Sequence, residues 1–393
     1  MNKELTGTPP ARAQKAPSMT EPTALPTIAA TEEHRFPCDQ CGADLRFDPG
    51  DARLICDHCG ASQPVDDTPW SGGAIRELDF RQAIDNQLPA QDIEAVRASS
   101  CPNCGARIEF GTDIHATECP FCATPVVTDT GDHRQIKPKG LLPFALDEEQ
   151  ARTAMTDWLG RLWFAPNGLQ DYARKGRRMA GIYVPYWTFD ADTTTDYTGQ
   201  RGTDYYETRT VIRNGKREQV RVRKTRWRSV SGRVARFFDD VLVLASRSLP
   251  KRYTDALEPW DLTALEPYAP HYLAGFRAEG YQVELGDAFQ QAREIMDRQI
   301  VRDIKFDIGG DHQRVGSVDT AIGTLTFKHV LLPVWMAAYK YRGKTYRFVV
   351  NGRSGRVQGE RPWSAWKIGI AVVLGLILAG VAGYLIALNE GQF

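Results

Sequence analysis

The chain has 393 residues, with 49 Lys+Arg against 49 Asp+Glu and a 42% hydrophobic share. That is too long for one small domain, and it fits two or three globular units with some membrane content. The zero net charge averages an acidic front half and basic segments downstream, an asymmetry that reports on partners.

Residues 1–33 are rich in Pro, Thr and Ala and lack any apolar period, so they read as a disordered tail without the apolar core of a secretory leader. A first zinc ribbon is expected over 34–67, where "CDQCGADLRFDPGDARLICDHC" places Cys38, Cys41, Cys56 and Cys59 as two CxxC pairs with fourteen residues between them. The stretch "IRELDFRQAIDNQLPAQDIEAVRAS" within 68–99 reads as a helical connector. A second ribbon follows over 100–130, with Cys101, Cys104, Cys119 and Cys122 at the same fourteen-residue spacing.

These two motifs use all eight cysteines of the chain. Two tight turns that each present a pair of thiolates suit one tetrahedral Zn2+, so two structural ions are expected as cofactors. Glycine follows the second cysteine at Gly42, Gly60 and Gly105, where positive φ lets backbone N–H groups aim at sulfur; the fourth turn has Ala123 instead. Disulfides are the rival reading, and the missing leader and the metal-type spacing weigh against them.

Four thiolates close the coordination sphere, so such a site folds its domain and performs no chemistry. Charge separates the remaining roles. The first ribbon carries seven aspartates from Phe36 to Asp67 against Arg46 and Arg53, a net −5; the second carries a net −3 from Cys101 to Asp129. Phosphate binding requires the opposite sign. The ribbons therefore read as docks for a protein.

An α+β module is expected over 137–362. In it "LDEEQARTAMTDWLGRLW" has helical spacing with acids at its start, and "GIYVPYWTFDADTTTDY" reads as a strand. Later "DAFQQAREIMDRQIVRDI" is again helical and "HVLLPVWMAAYKYRG" again a strand. "YVPYW" with Pro185 and Trp187 matches "LLPVW" with Pro333 and Trp335, which suggests an internal duplication over 141–250 and 280–360. Both tryptophans read as core, and both prolines as marking a strand's beginning or a sheet edge.

Between the repeats a long hairpin is expected around Asn214-Gly215. Its second arm carries Arg221, Arg223, Lys224, Arg226 and Arg228 beside Trp227, a pattern suited to single-stranded nucleic acid, to lipid headgroups, to an acidic partner or merely to solvent. "GKT" at Gly343–Thr345 is not a phosphate loop, because position 338 is alanine where that motif needs glycine. The seven histidines are scattered and no nucleophile elbow is present, so no enzyme is expected.

Residues 368–388 form an uncharged run of 21 residues, long enough as a helix to cross a bilayer core of about 30 Å. Five residues follow it, so a tail anchor is expected. From Lys340 to Lys367 eight basic residues face one acid, a net +7 that puts the large N-terminal part on the cytoplasmic side of the cell inner membrane. Arg353, Arg356, Arg361 and Lys367 are the expected contacts with anionic headgroups, with Trp363 and Trp366 as an aromatic belt. Gly375, Ala379 and Gly383 offer a small-residue face through which the helix can self-associate.

The two CxxC-x14-CxxC ribbons, the run "LLPVWMAAYKYRGKTYRFVVNGRSGRVQGERPWS" and the helix that follows resemble bacterial membrane-anchored double-zinc-ribbon proteins of the YdjG type. The resemblance covers most of 36–388; the N-terminal tail and the basic hairpin depart from it. Such proteins are often labelled primosomal protein N′ or replication helicase fragments, a label this chain does not support because it has no phosphate loop. The resemblance implies a partner role at the membrane beside PspA-like relatives of ESCRT-III and SPFH proteins. A non-enzymatic adaptor that docks a cytoplasmic protein is therefore the expectation, with a membrane-tethered nucleic-acid binder as the alternative.

Overall fold

The computed structural model describes residues 36–65, 75–103, 105–109, 116–119, 124–127, 132–166, 179–213, 216–341 and 344–390. The expected tail over 1–33, Cys104, Cys122 and the tip Asn214-Gly215 lie outside them. A multidomain α+β architecture with one apolar C-terminal helix results.

Strands β1 (Leu45–Asp48), β2 (Arg53–Cys56) and β3 (Ser62–Pro64) form a small antiparallel sheet. The next segment is largely strand. After β4 (Leu78–Asp79) and the five-residue helix α1 (Phe80–Ile84), Pro89 intervenes and Ile93–Ser100 extends as β5. The helical reading of 68–99 therefore holds, among the described residues, only for α1 and a single 3-10 turn at Ala90–Asp92. The reason is non-local: β5 pairs with β6 (Arg107–Glu109) on one stretch and, beyond β7 (Ala116–Glu118) and β8 (Pro125–Val127), with β9 (Asp132–Ile136) on the other. Ladder pairing outweighs weak local helix preference.

The body begins with β10 (Gly140–Leu141) and helix α2 (Glu148–Gly160). Asp147 caps α2 with a capping box: its carboxylate accepts from Gln150 N at 2.7 Å and Gln150 Oε1 accepts from Asp147 N at 3.0 Å. Then come β11 (Ala180–Arg213), β12 (Lys216–Leu244), α3 (Lys251–Asp255), β13 (Glu266–Pro267), β14 (Arg277–Ala278) and α4 (Leu285–Ile308). The chain closes with β15 (His312–Tyr341), β16 (Lys344–Asn351), β17 (Val357–Gly359) and α5 (Ala365–Glu390).

β11 is central, antiparallel to β12 on one side and β15 on the other. Residues alternate across it: Ala191, Thr193, Thr195 and Tyr197 are buried, while Asp192, Thr194, Asp196 and Thr198 are exposed. The odd-numbered face of β11 carries Trp187, Phe189 and Tyr197 and packs on α4 through Ala288, Ala292, Met296, Ile300, Ile304 and Ile308, a helical stripe at intervals of four. Farther along the same face, Tyr183, Leu331 and Trp335 meet α2 through Ala151, Met155 and Leu159. The even-numbered face carries Ile182, Val184 and Tyr186 and packs on Leu257 and Trp260.

Both Pro-x-Trp strands are interior to the sheet and pair with each other, Tyr183 opposite Pro333 and Pro185 opposite Leu331. Neither proline breaks a ladder, because each sits where the neighbouring strand changes. Pro185 O accepts from Ala245 N just past the end of β12, and Pro333 O accepts from Gly352 N between β10 and β16. A strand residue turns its nitrogen and carbonyl the same way, so the missing N–H faces those gaps.

His329 is buried beside Trp187 and Tyr281, and Nδ1 donates to Ile136 O at 2.8 Å. Burial drives its pKa down to about 4, from 6.5 in the open chain. Between those values the unfolded chain holds a proton that the folded one lacks, so stability falls as pH drops from 6.5 toward 4, by roughly 1 kcal/mol per unit. Denaturant unfolding across that range should show this slope, and His329→Gln, which keeps a donor, should flatten it.

Candidate metal centre

Cys38, Cys41, Cys56 and Cys59 converge, with their four sulfurs all within 4.8 Å of one another. Cys38 Sγ lies 3.6 Å from Cys59 Sγ and Cys41 Sγ 3.5 Å from Cys56 Sγ. Those distances exceed any disulfide and approach the ~3.8 Å edge of a tetrahedron with metal–sulfur bonds near 2.3 Å. The donor set fits one Zn2+.

Local backbone makes the convergence. In each turn the first cysteine's N–H bonds five residues ahead, Cys38 N to Ala43 O and Cys56 N to Ala61 O, both at 2.8 Å. The glycine's N–H returns to that cysteine, Gly42 N to Cys38 O and Gly60 N to Cys56 O, with φ of 74° and 75°. The Cys59 N–H, against an opposing effect of burial and with help from the His58 N–H, pulls the Cys56 thiol down to about 6. The ribbon is also seated on the body. Phe47 packs edge-on against Tyr272 at 5.2 Å between ring centroids, and its N–H donates to Ala274 O at 3.0 Å. Gly275, at φ 81°, allows that approach, since a Cβ there would lie 2.5 Å from Arg46 Cγ.

The second motif repeats this backbone where it is described. Cys101 N donates to Ala106 O at 2.8 Å, Gly105 N to Cys101 O at 2.9 Å with φ 75°, and Cys119 N to Thr124 O at 2.8 Å. Cys101 and Cys119 are buried with Ala106 and Val126 in the cluster on the even-numbered face of β11.

An acidic group that sequence reading missed lies at a bulge in β12. Asp190, Asp239 and Asp240 place carboxylate oxygens within 4.8 Å of one another. A cation is already there: Lys328 Nζ lies 3.2 Å from Asp190, 2.7 Å from Asp240 and 3.3 Å from Glu77. Burial works against the charge of Lys328, but the Asp240, Asp190 and Glu77 carboxylates outweigh it and raise its pKa. Burial pushes Asp190 up to about 6. The group is an internal ion pair; its one sequence signal is the pair Asp239-Asp240 interrupting an apolar strand.

The expected lipid contacts are split. Arg353 and Arg356 lie in the turn between β16 and β17, where the Arg356 guanidinium donates to Glu258 O. Arg361 lies over Trp363 at 4.3 Å, and Lys367 Nζ donates to Ala165 O at 2.8 Å. The second contact brings in the loop just past α2: Ser364 N donates to Phe164 O, and Trp163 and Trp366 are 79% and 78% exposed. Arg221, Arg223, Lys224, Arg226 and Arg228 all lie on β12, at the far end of the sheet from this aromatic group.

Metal analysis checks the centre. Cys38→Ser should lower bound zinc by one ion per chain and release Phe47 from Tyr272, giving protease sensitivity confined to 36–65 while the α4-packed sheet persists.

No protein-family model and no solved structure matches the chain. It is 27% identical over 351 residues to an uncharacterized protein, YdjG, of Bacillus subtilis (strain 168), covering 86% of this chain and 94% of that one. The likeness to YdjG read from the motifs thus holds over most of both chains.

Proposed function

We propose that the chain is a non-enzymatic, membrane-anchored adaptor whose acidic ribbons dock a cytoplasmic protein at the inner membrane. The observation that carries this reading is a cysteine centre with an acidic outer surface, seated on a body that leads into an exposed apolar helix. Asp39, Asp44 and Asp51 are exposed on the ribbon. Helix α5 has a candidate span of 20 residues, Ala365–Tyr384, none of it buried.

On this reading Cys101, Cys104, Cys119 and Cys122 hold a second zinc, supported by turn hydrogen bonds that match those of the first motif. The body, read as a duplicated helix-and-strand unit, acts as a spacer. The basic run before α5 favours a cytoplasmic body, where reduced thiols and metal coexist. Trp163, Trp363 and Trp366 around the first turn of α5 suit the headgroup layer. The resemblance points to a PspA-like or SPFH-like partner in envelope stress or membrane remodelling.

Two measurements test it. Alkaline carbonate extraction should leave the full chain in the membrane pellet and release a chain ended at Pro362; release of both would remove the anchor. Asp44→Lys with Asp51→Lys, which touches no cysteine, should abolish crosslinked capture of the partner in nuclease-treated membranes while zinc content stays unchanged. Undiminished capture by that variant would sink the docking role of the first ribbon.

A further inference from the structure

The part of the sheet farthest from α5 is a bare two-stranded arm. β15 begins at His312, opposite Gly202, so Thr203–Arg213 and Arg226 back to Lys216 continue with no third strand among the described residues. The arm is about 36 Å long at roughly 3.3 Å per residue. Helix α5 follows β17 and β16, which pair toward the opposite end of β15, at Val334–Tyr341. Arm and anchor are thus separated by most of a 30-residue strand, on the order of 100 Å of its length. A bilayer crossed by α5 lies out of the arm's reach.

Charge on the arm is dense and two-sided. From Thr203 to Arg226 eight Lys and Arg stand against three acids, a net +5, and Arg201 and Arg228 flank its root. Register places Arg217, Arg221 and Arg223 on one face and Arg209, Lys224, Arg226 and Arg228 on the other. Each face carries a tyrosine under a guanidinium, Tyr206 below Arg221 at 5.6 Å and Tyr205 below Arg226 at 5.2 Å. The base is braced: Asp204 pairs with Arg223 and with His312 at 3.2 Å and accepts from Thr225 at 2.6 Å. Beneath it, on the Arg223 face, a concavity of about 590 Å³ is lined by Thr198, Gln200, Ser229, Ser231 and Arg314.

We propose that this arm seats in the major groove of duplex nucleic acid, with its root concavity against the flanking backbone. A flat acidic protein surface would meet one face of the arm; a groove has phosphate walls on both sides, matching positive charge on both. The B-form major groove admits a two-stranded ribbon, and the arm spans about one helical turn. Stacked guanidiniums are held outward toward those walls, and the small hydroxyl side chains at the root permit close approach of a backbone.

The test uses the full-length protein in detergent micelles and fluorescence anisotropy with a labelled duplex of about 20 base pairs, a single strand of equal length, and polyglutamate. Duplex binding should be tightest and should weaken about a thousandfold from roughly 50 to 200 mM salt. Arg221→Gln, Arg226→Gln and Arg228→Gln together should cut the salt slope by about three, while the matching lysine variants keep it. Should the triple variant misfold, a chain joining Thr203 to Arg226 through Asn-Gly removes the arm and should lose duplex binding. Unchanged affinity in either variant would overturn the proposal. So would preference for the single strand, or for polyglutamate, which would make the arm a dock for an acidic protein.

Discussion

Strand β11 sets the terms for the rest of the molecule, because 34 consecutive residues must find partners for their carbonyls and, Pro185 aside, their backbone N–H groups. β12 and β15 supply them on either side, and at the end nearest α2, where one neighbour stops, another element takes over. The chain past β12 takes up Pro185 O and β14 continues the ladder at Ile182–Tyr183, while β4, β10 and β16 share the outer edge of β15. Prolines are tolerated inside so long a strand because they stand at these changes of neighbour. The bulge opposite Asp190 is a further adjustment, and it turns Asp240 toward Lys328 with φ 51°.

Two packed faces follow from one alternating strand. Helices α2 and α4 cover the odd-numbered face in succession, and Leu257, Trp260 and the second cysteine motif cover the even-numbered one. The first ribbon is held by Tyr272, Ala274 and Phe276, near the strands that lead to α5. Cysteine motifs and apolar helix therefore belong to one end of the sheet, and the bare arm to the other.

Local chemistry made several features legible. The CxxC spacing reported its own turns, since each bond from Cys38 to Ala43 or Cys56 to Ala61 lies within six residues. Periodicity located α2 and α4 to within a few residues, and the acids at its start marked where α2 begins. The expected hairpin appears as Arg213 paired with Lys216 around the two tip residues. Failures occurred where distant chain decided. Residues 93–100 are a strand because residues 107–109 and 132–136 pair with them, and Lys328 is an ion-pair centre because Glu77, Asp190 and Asp240 arrive from three separate segments.

By itself the amino-acid sequence determined the four-sulfur centre of the first ribbon, the amphipathic stripes of α2 and α4 and the apolar run of α5, all governed by contacts among near neighbours or by composition. Only the tertiary structure decided that the ribbon is fastened to Tyr272, that Phe164 meets Trp363 at the start of α5, and that the basic hairpin stands at the end of the sheet remote from α5. Those facts depend on strand register and ladder length, which are set by pairing between residues more than a hundred positions apart and leave no periodic trace along the chain.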